Sequence, residues 1–179
     1  MTLPRTAALA VVALAVAAAG ADSPPQTIEA DGLTFEVPAA WKKEKPTNAM
    51  RKAQLKVEPA KGDTDSAELT VFAFPNGGGT VEQNIGRWQD QFRDKDGNSS
   101  KAETEKKKGK NVEVTRVELS GTYKDPFSKA GSKSGYRLLG AIAEGNQSAY
   151  FIKLIGPDKT VKEAKSAFDD LIKSMKLDE

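Results

Sequence analysis

The chain has 179 residues, 38% of them hydrophobic and 29% charged, with no cysteine and no histidine. The 27 Lys and Arg against 25 Asp and Glu leave a net charge of only +2, which argues against nucleic-acid binding driven by bulk charge. Without cysteine there are no disulfides, thiolate chemistry or lipid-bearing cysteine, and without histidine the commonest general base and metal ligand is missing.

Residues 1–21 carry one charge, Arg5, followed by an apolar run from Ala7 to Ala19 and the small-residue sequence Ala19-Gly20-Ala21. That pattern predicts a signal peptide cut before Asp22, because the run is short for a bilayer span. Residues 22–26, with Pro24-Pro25, predict a linker, and residues 27–177 a single domain. The expected location is periplasmic or secreted, with no stable membrane insertion after cleavage.

Thr27–Ala30 and Leu33–Val37 flank Asp31-Gly32, the signature of a two-residue hairpin turn. Pro38 stops the second strand, and Trp41 is expected to pack on the core. Lys42–Asn48 is polar, contains Pro46 and predicts a loop. Met50–Glu58 alternates Arg51, Lys52, Gln54 and Lys56 with apolar residues and predicts an outer strand protected by lysines. Glu68–Phe74 is apolar on both faces, as in a covered central strand.

After Gly77-Gly78-Gly79, residues Val81, Ile85, Trp88 and Phe92 form one stripe, predicting a helix over 80–93 with Thr80 and Gln83 as its capping box. Residues 94–109 are expected to be a polar connection, with the lysines from Lys106 to Lys110 at a solvated hairpin tip. Val112–Tyr123 predicts a strand whose apolar phase shifts between Val114 and Val117, suggesting a bulge at Thr115 or Arg116. Lys124–Ser134 is loop-like. Tyr136–Ala143 and Ala149–Ile155 predict two further strands, apolar on both faces, joined at residues 144–147. Thr160 with Glu163 suggests a second capping box. Val161, Ala164, Phe168, Leu171, Ile172 and Met175 then mark the buried stripe of a last helix.

Two single-stripe helices and several doubly apolar strands need one another for cover. The expected fold class is α+β: an α/β/α sandwich with a central antiparallel sheet covered by helices. This element order resembles the PsbP-like fold over roughly residues 27–177. The features that carry the resemblance are Gly32-Leu33-Thr34-Phe35-Glu36-Val37-Pro38-Ala39-Ala40-Trp41, the mid-chain helix, and Tyr150-Phe151-Ile152-Lys153-Leu154-Ile155-Gly156-Pro157 before a helix holding Phe168 and Ser174-Met175. Gly78-Gly79-Thr80, Asn84, Arg87-Trp88 and Gln91-Phe92 also resemble small exported bacterial proteins of unassigned role. The resemblance implies a non-enzymatic adaptor, as in lumenal photosystem subunits, a nuclear-transport factor and bacterial envelope proteins. Ion binding through histidine, found in some photosystem members, does not carry over to a chain without histidine.

The local motifs favour structure over chemistry. Asp94-Lys95-Asp96-Gly97-Asn98 resembles part of a calcium loop, but the first ligand position falls on Phe92, which cannot coordinate, so a turn is expected. The glycines at 77–79 precede a helix without the Lys-Ser/Thr of a phosphate loop. Gly131-Ser132-Lys133-Ser134-Gly135 has lysine where a serine-hydrolase elbow needs its nucleophile.

The expectation is therefore a monomeric, non-enzymatic binding or assembly protein without cofactor or metal, acting through its surface on an unknown protein partner or small ligand in the envelope. Alternatives are a carrier of a small apolar ligand and a carboxylate-only hydrolase. Arg87, Lys106, Lys107 and Lys108 are the candidate partner-binding residues. Tyr123, Phe127 and Tyr136 are aromatic residues that could share a surface patch. The intact mass of the exported protein is expected to correspond to a chain starting at Asp22; a mass retaining residues 1–21 would show an uncut anchor.

Overall fold

A computed structural model describes residues 23–75, 77–125, 131–145 and 148–178. The predicted leader and Phe127 lie outside these residues. The elements, in order, are β1 (Gln26–Ala30), β2 (Leu33–Val37), β3 (Lys42–Glu44), β4 (Arg51–Val57), β5 (Ala67–Pro75), α1 (Val81–Gln89), β6 (Phe92–Arg93), β7 (Glu103–Lys108), β8 (Glu113–Tyr123), β9 (Lys133–Glu144), β10 (Ser148–Pro157), α2 (Asp158–Glu163), α3 (Lys165–Ser174) and β11 (Lys176–Leu177). The large sheet is antiparallel, in the order β3-β4-β5-β10-β9-β8-β6, with β7 also paired to β8; β1-β2-β11 form a small second sheet. No helix among the described residues is long and apolar enough to cross a membrane.

The expected sandwich is what the chain builds, with one addition. Helices α2 and α3 share their layer with the small sheet, and together they bury Phe35, Leu69, Ile152, Leu154 and Phe168 against one face of the large sheet. Among the described residues α1 is the helix on the opposite face, with Trp88 over Val117, Leu138, Ile142 and Phe151. The Asp31-Gly32 turn adopts positive φ at both residues, 56° and 91°, as a tight hairpin turn matched to strand twist requires. Tyr150 Oη donates to Asp31 O at 2.8 Å and ties this hairpin to the large sheet.

Several expectations need correction. Lys42–Glu44 is a strand, not loop, and lies outside β4; its side chains are all exposed, and its backbone pairing is joined by the contacts of Lys42 with Glu58, Lys43 with Thr27 O and Glu44 with Gln54. The helix begins as predicted, with both halves of the Thr80–Gln83 capping box formed, but ends at Gln89, and Phe92-Arg93 pair with β8 instead. The stretch 94–109 is not all connection: Glu103–Lys108 is an edge strand on β8.

The expected bulge at Thr115 or Arg116 is absent. Register with β9 runs unbroken from Val114 to Gly121 and shifts between Gly121 and Tyr123. The apolar phase changes because the α3 face of β8 switches from Val114 to the charged pair Arg116 and Glu118. Arg116 donates to Asp169 (2.8 Å) and Glu118 (2.9 Å), while Arg137 and Lys165 also reach Glu118, fastening the last helices to the sheet by ion pairs. Burial pushes the Glu118 carboxyl up, but Lys165 and Arg116 outweigh it and hold it below the ordinary carboxylate range.

The second capping box does not form. Helix α2 starts at Asp158 with no side-chain cap, and Thr160 sits inside it. Asp63, from the β4–β5 connection, accepts from Thr160 N (2.9 Å) and Thr160 Oγ1 (2.6 Å), satisfying a first-turn N–H from outside the helix.

Trp88 approaches the sheet closely because residue 140 has no side chain; a Cβ there would lie 2.3 Å from Trp88 Cζ3. Gly140→Ala is therefore expected to destabilise the fold by about 1–3 kcal/mol through overpacking. Urea unfolding followed by tryptophan fluorescence measures this; an unchanged midpoint would show that α1 lifts without cost.

Candidate functional site

The side chains of β5 alternate, so Glu68, Thr70 and Phe72 face the α1 side while Leu69 and Val71 enter the opposite core. In register beside them, Lys153 pairs with Thr70 and with Gly140, and Ile155 pairs with Glu68 and Leu138. Helix α1 seats Trp88 above Gly140 and stops. The sheet beyond it is left as the floor of a cleft of about 350 Å³, with Arg51 of β4, Gln91, Tyr123, Asp125 and Lys133 around it.

Two of the aromatic residues expected at the surface meet here, but they stack rather than lie open. The rings of Tyr123 and Tyr136 are nearly parallel, 8° apart in plane, with centroids separated by 6.1 Å. Tyr136 is only 9% exposed. Its hydroxyl donates to Asp65 Oδ2 at 2.7 Å, and Lys133 Nζ donates to the same oxygen at 2.8 Å and to Tyr136 Oη at 3.1 Å. Lys133 and Tyr136 hold the Asp65 carboxyl below its ordinary range. Burial, reinforced by Asp125, pushes the Tyr123 phenol well above its usual value.

On the β4 side, Arg51 Nη1 donates to Glu68 Oε1 (2.9 Å) and Gln54 Oε1 (2.8 Å), while Gln54 Nε2 donates to Glu68 Oε2 (2.8 Å). Both oxygens of Glu68 are thus committed. Arg51 Nε is buried with no hydrogen-bond partner among the described residues.

Lys153 is set apart from the other cations of the cleft. Its Nζ donates to Gln91 Oε1 at 3.0 Å and lies 5.7 Å from the centroid of the Trp88 ring. Among the described residues it forms no salt bridge, whereas Arg51 pairs with Glu68 and Lys133 with Asp65. Burial brings the Lys153 ammonium down to about 8, with Asp125 and Glu68 pulling it back and Arg51 pushing it further.

The residues singled out for partner binding lie elsewhere and are divided. Arg87 Nη1 donates to Gly78 O and Asn84 Oδ1, both at 3.1 Å, bracing the glycine loop against α1. Lys106 flanks the start of that helix near Glu82 and donates to Thr115 Oγ1 at 2.8 Å. Strand alternation sends Lys107 to the opposite face from Lys106 and Lys108, and Lys107 pairs with Glu105 at 2.7 Å. The run is therefore not one basic patch: Lys106, Lys107 and Lys108 lie on the strand, and Lys110 is in the hairpin tip, the turn in which Gly109 N donates to Val112 O. The calcium-like stretch folds as a turn, with Asp94 Oδ1 accepting from Asp96 N and Asn98 N, both at 2.9 Å. No cluster of three or more acidic groups suited to a metal occurs among the described residues.

No protein-family model and no curated protein matches the sequence. Structural comparison shows that the chain has a PsbP-like fold. It is similar to cyanobacterial PsbP (CyanoP) from Synechocystis sp. PCC 6803, with a TM-score of 0.56 and 14% identity over 94% of this chain and 98% of that one. It is also similar to PA94 of Pseudomonas aeruginosa, a protein of unknown function, with a TM-score of 0.50 and 11% identity over 88% of this chain and 99% of that one.

Lys153 makes the fold pH-sensitive in a defined direction. Between about 8 and the usual 10.5, the unfolded chain still binds the proton that the folded chain has released, so stability rises with pH across that window. Lys153→Met is expected to melt higher than the parent at pH 7, with the gap closing towards pH 10. A gap independent of pH, followed by calorimetry, would mean that the ammonium is not desolvated.

Proposed function

We propose that this chain is an exported, non-enzymatic binding or assembly protein of the bacterial envelope, periplasmic or secreted, which works as a monomer through the cleft beside α1. The observation that carries this reading is the half-covered sheet face, where a shaped recess gathers charged groups, stacked tyrosines and an isolated cation. A fold that only had to be stable would fill that space with apolar side chains or a longer helix. The signal-peptide pattern of residues 1–21 supports export. Because Glu68 is fully engaged by Arg51 and Gln54, the cleft does not present the two available carboxylates that hydrolysis without histidine needs. Its charged lining also disfavours a wholly apolar cargo.

Capture from envelope extract with the tagged full chain tests the reading. Lys133→Ala and Gln91→Ala are expected to reduce recovery of a reproducible partner by roughly tenfold, equivalent to about 1.4 kcal/mol. Lys106→Ala and Lys108→Ala should leave it unchanged. Recovery lost with the lysine-strand variants and kept with the cleft variants would move the interaction surface to β7 and overturn the assignment.

A further inference from the structure

We propose that the cleft holds a small ligand with a single carboxylate on a ring-sized apolar body, its carboxylate seated against Lys153 Nζ. The inference rests on the cleft being the recognition site and names the chemistry that the site takes. Two of the three cations lining the cleft are held in ion pairs. Arg51 is paired with Glu68 and Lys133 with Asp65, while Lys153 has an amide oxygen and an indole face but no carboxylate among the described residues. An ammonium has three hydrogens to donate, and Gln91 Oε1 takes one. A buried cation with no carboxylate in ion-pair contact is costly, so an arriving carboxylate gains more here than at an exposed lysine.

The surroundings set the rest of the ligand. Phe72, Ile155 and the stacked Tyr123 and Tyr136 supply apolar and aromatic wall. The volume, about 350 Å³, lies at the small end of ligand pockets. One unpaired cation matches one negative charge. Glu68 and Asp125, which also line the cleft, oppose a second charge and so disfavour a phosphate dianion. The buried Arg51 Nε, without an acceptor among the described residues, is a further donor belonging to the same wall.

The experiment is a titration of the isotopically labelled full chain, followed by backbone amide shifts. Phenylacetate, benzoate and hexanoate serve as carboxylate probes, 2-phenylethanol as the neutral counterpart of the first, and inorganic phosphate as the dianion. At least one carboxylate is expected to shift the amides of Thr70, Lys153 and Ile155 saturably, and phenylacetate to bind at least tenfold more tightly than 2-phenylethanol. Lys153→Met should abolish that preference and Lys153→Arg should retain it. If the Met variant loses its native spectrum, the acid–alcohol comparison on the parent protein decides alone. Equal binding of acid and alcohol, tighter binding of phosphate, or no saturable shift in the cleft with any of the three carboxylates would overturn the inference. Failure here with partner capture still sensitive to Lys133→Ala and Gln91→Ala would remove the carboxylate and leave the cleft as the interaction surface. Capture insensitive to those variants would remove the cleft reading itself.

Discussion

A helix is about 10 Å across, whereas neighbouring strands lie about 4.8 Å apart, so one helix roofs two or three strands. Among the described residues the large sheet is seven strands wide along its main path, and one of its faces has a single helix, α1, above it. What lies beyond the helix must either become polar or find other cover. The chain does both. Glu68, Thr70 and Lys153 replace apolar residues on that face, while Tyr123 and Tyr136 close over one end. The cleft is thus a product of the mismatch between sheet width and helix girth, and its position follows from where Trp88 can sit. Gly140 sets that position by admitting the indole ring against the backbone.

The two faces of the sheet handle buried charge differently. Under α3, Arg116, Glu118, Asp169, Lys165 and Arg137 satisfy one another, and the side chains of Arg116 and Glu118 are each only 7% exposed. Such a network positions the helices and leaves little charge to offer a visitor. On the α1 face Lys153 forms no ion pair among the described residues. The fold can carry this strain because the opposite side of the sheet holds the larger apolar core, built from both terminal segments of the domain.

Much of this architecture was legible in the amino-acid order. The Asp31-Gly32 turn, the Thr80–Gln83 cap and the stripe from Val161 to Met175 are local signals whose physics needs no distant partner. The doubly apolar runs in β5, β9 and β10 announced a covered sheet. What stayed hidden were β3, β6, β7 and β11, strands that are short or face water, and which exist because a neighbour offers free backbone groups. The apolar phase shift in β8 was visible, but its cause was a charged network formed with residues some 50 positions away, at Lys165 and Asp169. Lys153 lies in a run that reads as apolar on both faces, and the sequence alone did not single it out. Its isolation depends on Gln91, Trp88 and the separate pairing of Arg51 and Lys133, none of which local sequence encodes. The lysines at 106–108 drew attention through composition, yet strand alternation divides them between two faces.

The small sheet places β2 between a neighbour from its own hairpin and a neighbour that arrives about 140 residues later, at Lys176–Leu177. Its second seam is therefore a contact of very high sequence separation, and its closure waits for nearly all of the intervening chain. Asp178 N donating to Gly32 O, at 2.9 Å, is the latch that follows. A nascent chain of this topology stays unlatched through most of its synthesis, and the hairpin made first is among the last pieces to be secured.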